Sequence, residues 1–426
     1  MLRKKAVAII ISTIVLLSVT GCNGGTVSEE STRETPSAAT PVIEEPISSD
    51  PSDSGFIGLP PDPGDPEPFN NITAADLVAD IRIGWNLGNT FDAYDLTWLG
   101  DNPSVTAMET GWQPNVTSAE NISALSEAGF NAIRITVTWI KAVDENYIIR
   151  EDWMARIREV VDYAVSNDMY IILNSHHDES HFSMLDKDFE RTKDYFTKLW
   201  IQIAGVFRNY NEKLIFEGFN EPRTAGSSME WRGGIAEEHN NLNLLNQNFV
   251  DTVRGTGGNN DKRILIIPTY AASANDVALK ALVMPVDTVN NKIIVSIHSY
   301  APWEFALKTG HDEPVEWSRE TPGDTRPITD PIDHAHELFV SRGIPVIMGE
   351  MGALNRNNLS SRVEWAEFYT SYAKSKGIPC FWWDNGVSYV TILREWGWEE
   401  TFGIFNRGTN QFDHPEIMEA LMRGTN

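Results

Sequence analysis

Two cysteines in 426 residues leave almost no room for disulfide chemistry. Cys22 closes an N-terminal apolar run and Cys380 sits inside a β-prone segment, so no internal disulfide is expected. Cations are also scarce: 34 Lys and Arg face 60 Asp and Glu, for a formal net charge of −26. So acidic a chain is a poor partner for nucleic acid or polyanionic glycans and suits a neutral polymer. No Gly-rich phosphate loop follows any β-prone run, which counts against the open-sheet nucleotide folds, and no cofactor is expected. Neither an internal repeat nor a separate binding module is visible.

What is present begins with an address. Met1–Gly21 has a basic start (Arg3, Lys4, Lys5), an apolar run from Ala6 to Leu17, and the order Val19-Thr20-Gly21-Cys22. This order resembles a bacterial lipoprotein signal, in which Cys22 is acylated and becomes the new N-terminus. It implies an exported protein held at the bacterial cell surface or outer membrane by a lipid anchor. An uncleaved transmembrane anchor is the alternative, and the run is short for one. Residues 22–68 follow; from 23 on they carry nine Pro, ten acids and one Arg, the composition of an acidic, semi-rigid, disordered linker. About −9 of the net charge lies in this linker and +3 in the signal, which leaves roughly −20 on residues 69–426.

Between residues 81 and 386, apolar β-type runs alternate with amphipathic stretches. The runs are Ile81–Leu87, Ala132–Trp139, Tyr170–His176, Leu214–Glu221, Ile264–Tyr270, Lys292–Tyr300, Pro345–Glu350 and Cys380–Asp384. Most are continuously apolar, as expected of parallel strands covered on both faces. Helices are expected over Asp152–Ser166, Phe189–Tyr210 and Arg362–Lys376. Eight β/α units in this length predict a single (β/α)8 barrel, expected as a monomer.

A barrel of this kind keeps its chemistry at strand C-terminal ends. Those ends carry Trp85, Asn86 and Asn89; Arg134; His176, His177 and Asp178; Asn220 and Glu221; Tyr270; His298 and Tyr300; Glu350; and Trp382, Trp383, Asp384 and Asn385. Nearly every one can hydrogen-bond a sugar, carry charge or stack on a pyranose face. Pro222 biases Glu221 away from helical dihedrals, so Glu221 is expected at a strand tip, as is Glu350. Two glutamates on rigid strand ends are what acid-assisted cleavage of a glycosidic bond needs, one protonated and one ionised. Arg134 and Tyr300 are candidates to hydrogen-bond Glu350, Asn220 suits the sugar 2-hydroxyl, and His298 is placed to tune the proton on Glu221.

The stretches GWNLGNTFDA, ETGW, GFNAIRITVTW, HHD, FEGFNEPR, VSIHSYAPWEF, GEMGA and WWDNG together resemble glycoside hydrolase family 5. The likeness is strongest to its endo-β-1,4-glucanases of subfamily 4 and runs from about Asn70 to the C-terminus. It implies Glu221 as general acid/base and Glu350 as nucleophile. It also implies a sugar-distorting subsite lined by Arg134, Asn220, His298 and Tyr300, completed by one of His176 and His177 and one of Trp382 and Trp383. Where the family commonly has Arg-Ile-Pro, this chain has Arg134-Ile135-Thr136, a change a barrel strand tolerates. The substrate implied is a neutral β-linked glucan: cellulose-type, mixed-linkage or xyloglucan, with mannan and xylan as alternatives on the same scaffold.

Tryptophans add a second signal. Trp153, Trp200 and Trp365 fall on predicted helices and are expected in the core. Trp98, Trp112, Trp231, Trp303, Trp317, Trp396 and Trp398 fall in loops, where some are expected to serve as sugar platforms. A rival reading rests on His176-His177-Asp178-Glu179-Ser180-His181, with His177 and His181 at the spacing of a zinc helix. The segment follows a strand directly and no third His or Cys ligand is apparent, so no metal is expected.

Overall fold

The computed structural model describes residues 65–309, 315–389 and 400–426. The signal, Cys22 and most of the linker lie outside the described residues, as do Trp396 and Trp398. Ile57–Asn426 form one compact unit. Glu67 is already tied to it, donating its backbone N–H to Asn209 O and accepting from Asn211 N.

Eight parallel strands close into a barrel: β1 Gly84–Leu87, β2 Ala132–Ile135, β3 Tyr170–Asn174, β4 Leu214–Glu217, β5 Leu265–Ser273, β6 Ile293–His298, β7 Val346–Met351 and β8 Cys380–Asp384. They pair in sequence order, and β8 returns to β1 through Gly84↔Phe381 and Asn86↔Trp383. All eight predicted strands therefore exist, and several are shorter than predicted at their C-terminal ends. Beyond those ends, side chains take over part of the backbone's hydrogen bonding. Val137 N donates to Asn174 Oδ1, and Trp139 N to the Asp178 carboxylate.

Both faces of the strands are buried, which explains their lack of alternation in the sequence. Outward residues such as Ile171, Leu173, Val295 and Met348 meet the helices. Helix Glu151–Ser166 buries Trp153, Ile157, Val160, Val161 and Ala164 against them; each large apolar side chain contributes about 1.5–3 kcal/mol. Trp200 and Trp365 are likewise fully buried. Inward residues form a plug at the N-terminal end of the barrel: Ala132, Ile172, Ile215, Ile266, Ile294, Ile347 and Phe381. Gly84 is required in that plug, since a Cβ there would stand 2.0 Å from the Phe381 ring.

One step of two residues further along the strands, the inward positions change character. They become Asn86, Arg134, Asn174, Glu217, Pro268, Ser296, Gly349 and Trp383. The apolar plug is thus capped by a polar layer.

Candidate active site

Arg134 organises that polar layer. It is fully buried, and its guanidinium donates from Nε to Glu217 Oε2 (2.6 Å), from Nη1 to Glu350 Oε1 (2.7 Å) and Asn86 Oδ1 (3.0 Å), and from Nη2 to Asn220 Oδ1 (2.7 Å). Burial opposes its charge, but the carboxylates of Glu217 and Glu350 outweigh burial and raise its pKa. Breaking so buried a pair by removing one partner costs about 3–5 kcal/mol. Engaging Asn220 Oδ1 leaves its amide NH2 as the end that a sugar hydroxyl can use.

Glu217 is a residue that sequence reasoning missed. It is fully buried on β4, and its Oε2 also accepts from Asn174 Nδ2 at 3.1 Å. A Glu inside an apolar β-prone run, four residues before Glu221, was the available signal.

Glu350 lies on β7 and accepts from Arg134 at Oε1 and from the Tyr300 hydroxyl at Oε2 (2.8 Å). Burial and the neighbouring Glu350 charge push the Tyr300 hydroxyl well up, so it remains a donor. Glu221 is not on the strand itself. β4 ends at Glu217, and Glu221 stands four residues later on a turn, where Pro222 O accepts from Ala271 N of β5. His298, the last residue of β6, joins the two carboxylates. Its Nδ1 is 3.0 Å from Glu221 Oε1 and 3.7 Å from Glu350 Oε2, and all three ligand atoms lie within 4.8 Å of one another.

The electrostatics of Glu221 run opposite to a lone acid in an apolar pocket. Burial opposes its ionisation, but the His298 hydrogen bond and the charges of His298, Arg223 and His177 outweigh it and lower its pKa. The Glu221 carboxyl is therefore held below the usual carboxylate range by the groups around it. Arg223 sits 3.7 Å from Glu221 Oε2, bonds Glu230 at 3.0 Å, and lies over the Trp231 ring at 4.3 Å.

The two open pairs resolve differently. Strand parity turns Phe381 and Trp383 inward and Trp382 outward. Trp382 is fully buried against Trp365, with its Nε1 donating to Phe402 O, so it is scaffold and not a sugar contact. Trp383 stacks on His176, with centroids 5.5 Å apart and planes 4° apart. Both histidines approach the site. His176 Nδ1 faces Asn174 Nδ2 at 3.1 Å, which assigns the ring hydrogen to Nε2, 4.0 Å from Glu350 Oε1. Burial, then the charges of His177 and Arg134, lower the His176 pKa well below the usual range. His177 is half-buried beside the rings of Tyr94 and Trp112, and burial lowers its pKa to about 3.

Several strand-end residues serve the fold instead of a ligand. Asn86 is fully buried, donating to Gly349 O and accepting from Arg134, so it holds the arginine. Asn385 is fully buried, its amide bonded to Glu400 O and its Oδ1 to the N–H groups of Val387 and Phe402. Tyr270 is buried with its hydroxyl on Glu238, Asp178 accepts from Trp139 and Ile140, and Asp384 from Ile404 and Phe405. Trp317 is buried against Phe368 and is no platform. Trp98, Trp231 and Trp303 are about half exposed, following β1, β4 and β6.

Among the described residues, two groups have metal-ligand spacing, Glu221–His298–Glu350 and Asp92–His176–His177. His181 joins neither. Asp92 is committed to the N–H groups of Asn89 and Thr90.

A family model described as cellulase (glycosyl hydrolase family 5) matches residues 96–388. Among curated relatives, Endoglucanase B of Neocallimastix patriciarum is 42% identical over 366 residues, covering 84% of this chain and 72% of that protein. Endoglucanase A of Clostridium longisporum is 38% identical, covering 83% of this chain and 66% of that protein. Among solved structures, a GH5-4 broad specificity endoglucanase from Ruminococcus champanellensis with bound cellotriose superposes with a TM-score of 0.78 at 42% identity. It covers 83% of this chain and 99% of that one. A glycoside hydrolase 5 lichenase variant from Caldicellulosiruptor sp. F32, in complex with cellotetraose, gives 0.77 at 38% identity, over 87% of this chain and 100% of that one. With its closed barrel and these matches over most of its length, the chain belongs to glycoside hydrolase family 5.

Proposed function

We infer that this enzyme is a retaining endo-β-1,4-glucanase that cleaves cellulose-type and mixed-linkage β-glucans, with Glu350 as nucleophile and Glu221 as general acid/base. One observation carries the reading: the facing oxygens of the two glutamates lie within 4.8 Å, with His298 between them. That spacing suits the about 5–5.5 Å of double displacement and leaves no room for the interposed water of inversion.

The steps follow from the geometry. Glu350, aimed by Arg134 and Tyr300, attacks the anomeric carbon. As the C1–O bond breaks, its electrons go to the leaving oxygen, which takes the proton of the Glu221–His298 pair. The glycosyl ester removes the negative charge of Glu350, which lowers the proton affinity of Glu221 and leaves it ionised in the intermediate. Glu221 then accepts a proton from water as the water attacks C1 and frees Glu350. Asn220 and the His176 Nε2–H are placed to donate to hydroxyls of the sugar whose distortion accompanies this step.

The relatives are named as endoglucanases and a lichenase, with cellotriose and cellotetraose bound, which favours glucan over mannan or xylan. The half-exposed Trp98, Trp231 and Trp303 on different flanks support several subsites and internal cleavage. On a soluble β-1,4-glucan, viscosity is expected to fall far faster than reducing ends accumulate. Release of only glucose or cellobiose from the start, with viscosity unchanged, would refute endo attack.

The same reading places the enzyme outside the cell as a monomer, its barrel tethered through residues 22–68 to lipid on Cys22. The basic, apolar, small, Cys order of residues 3–22 supports this. Cys22→Ala is expected to release active enzyme from the membrane fraction, and unchanged partitioning would point to a plain transmembrane anchor.

A further inference from the structure

On β6, two buried polar atoms have no hydrogen-bond partner among the described residues: Ser296 Oγ and His298 Nε2. Ser296 is fully buried and His298 is 7% exposed. They stand two residues apart on β6, so strand alternation turns both into the barrel. They also converge. A Cβ on Gly349 of β7 would stand 2.6 Å from Ser296 Oγ and 3.0 Å from His298 Nε2. The bare backbone of Gly349 is what admits both atoms to this corner. An unpartnered ring nitrogen and an unpartnered hydroxyl are each unfavourable alone and complementary together.

We propose that Ser296 is a positioning residue for the acid/base: its Oγ accepts the His298 Nε2–H, through a rotation about χ1 or one bridging water, and so selects the form of His298 that faces Glu221. This rests on Glu221 being the acid/base. With the ring hydrogen on Nε2, neutral His298 presents the Nδ1 lone pair to Glu221 Oε1 at 3.0 Å. A proton added to the pair is shared between Oε1 and Nδ1, and in either position the Nε2–H keeps its acceptor.

Without the serine oxygen the balance changes. The neutral ring then favours its hydrogen on Nδ1, donating to the Glu221 carboxylate with Nε2 bare. Adding the catalytic proton would strand an Nε2–H, so the pair holds that proton less firmly. The other groups around His298 are Glu350 from β7 at 3.7 Å, His176 from the end of β3, Arg134 from β2, and Arg223 behind Glu221. β5 pairs beside it through Ser273 and brings no charge there. None of these groups is altered when only the Ser296 hydroxyl is removed.

The test is the pH profile of kcat/KM for Ser296→Ala on a β-1,4-glucan. The alkaline limb, where the enzyme loses the acid's proton, is expected to move to lower pH by about one unit. KM and the acidic limb should stay in place. The glycosylation burst with a dinitrophenyl cellobioside, whose leaving group needs no proton, should be unchanged. Ser296→Thr keeps an Oγ and should restore the limb. An unmoved alkaline limb in the Ala variant, or an equal loss at every pH on both substrates, would overturn the proposal. Glu221→Gln measured alongside separates the two levels: full activity of that variant on glucan would remove the acid assignment itself, and the Ser296 proposal with it.

Discussion

Glu350→Gln is expected to lower turnover of β-glucan by on the order of 10^4-fold or more, because it removes the proposed nucleophile. Two donors converge on this carboxylate, Arg134 at 2.7 Å and Tyr300 at 2.8 Å, and hold its oxygens in that position. In the unaltered enzyme, a 2-fluoro cellobioside with a good leaving group should trap a covalent adduct, and peptide mapping should place it on Glu350. Early products observed by NMR should carry the β-anomeric configuration. A label on another residue, or initial α-anomer, would reject the nucleophile assignment.

Glu221→Gln should divide substrates by their need for a proton. On glucan the leaving group is a sugar hydroxyl, and the loss is expected to be about 10²–10⁴-fold. An aryl cellobioside with a strongly acidic phenol should still glycosylate Glu350 at close to the normal rate. The intermediate should then accumulate, since water has lost its base, and azide should restore turnover and give a β-glycosyl azide. A variant equally slow with both substrates would show that Glu221 shapes the site without transferring a proton. The amide keeps the contact with His298 and the turn before Pro222, so a folding defect is not expected to mask the outcome.

The barrel was legible because its strands are short apolar runs separated by helical periodicity. Eight such runs admit few closed arrangements. Both glutamates were legible for a related reason: Glu221 precedes Pro222 and Glu350 precedes the Met351-Gly352 exit, so each had to lie where a strand stops. The expectation went too far in extending β4 to Glu221. Apolarity continues through Phe219, but pairing with β5 ends near Gly218, whose N–H reaches Ile266 O.

Side-chain direction was the part that stayed hidden. Cys380-Phe381-Trp382-Trp383 is apolar at every position, so no alternation marks an inner face. Only the β1–β8 register and the plug around Phe381 decide that Trp383 lines the site and Trp382 packs outward. Asn86 and Asn385 had the residue type of sugar ligands, and tertiary structure assigned both to buried partners. Glu217 had the look of an ordinary strand charge until Arg134, from a strand 83 positions away, was seen to meet it.

By itself the sequence determined the fold class, the two carboxylates and the acidic balance that suits a neutral polymer. Each follows from composition or local pattern, which hold without knowledge of distant contacts. Tertiary structure alone decided which side chain stands beside Glu221, which tryptophan turns into the barrel, and which buried groups hold Arg134. Those depend on strands far apart in the chain meeting in one layer, and hydrogen bonds that fail beyond about 3.5 Å cannot be read from spacing along a sequence.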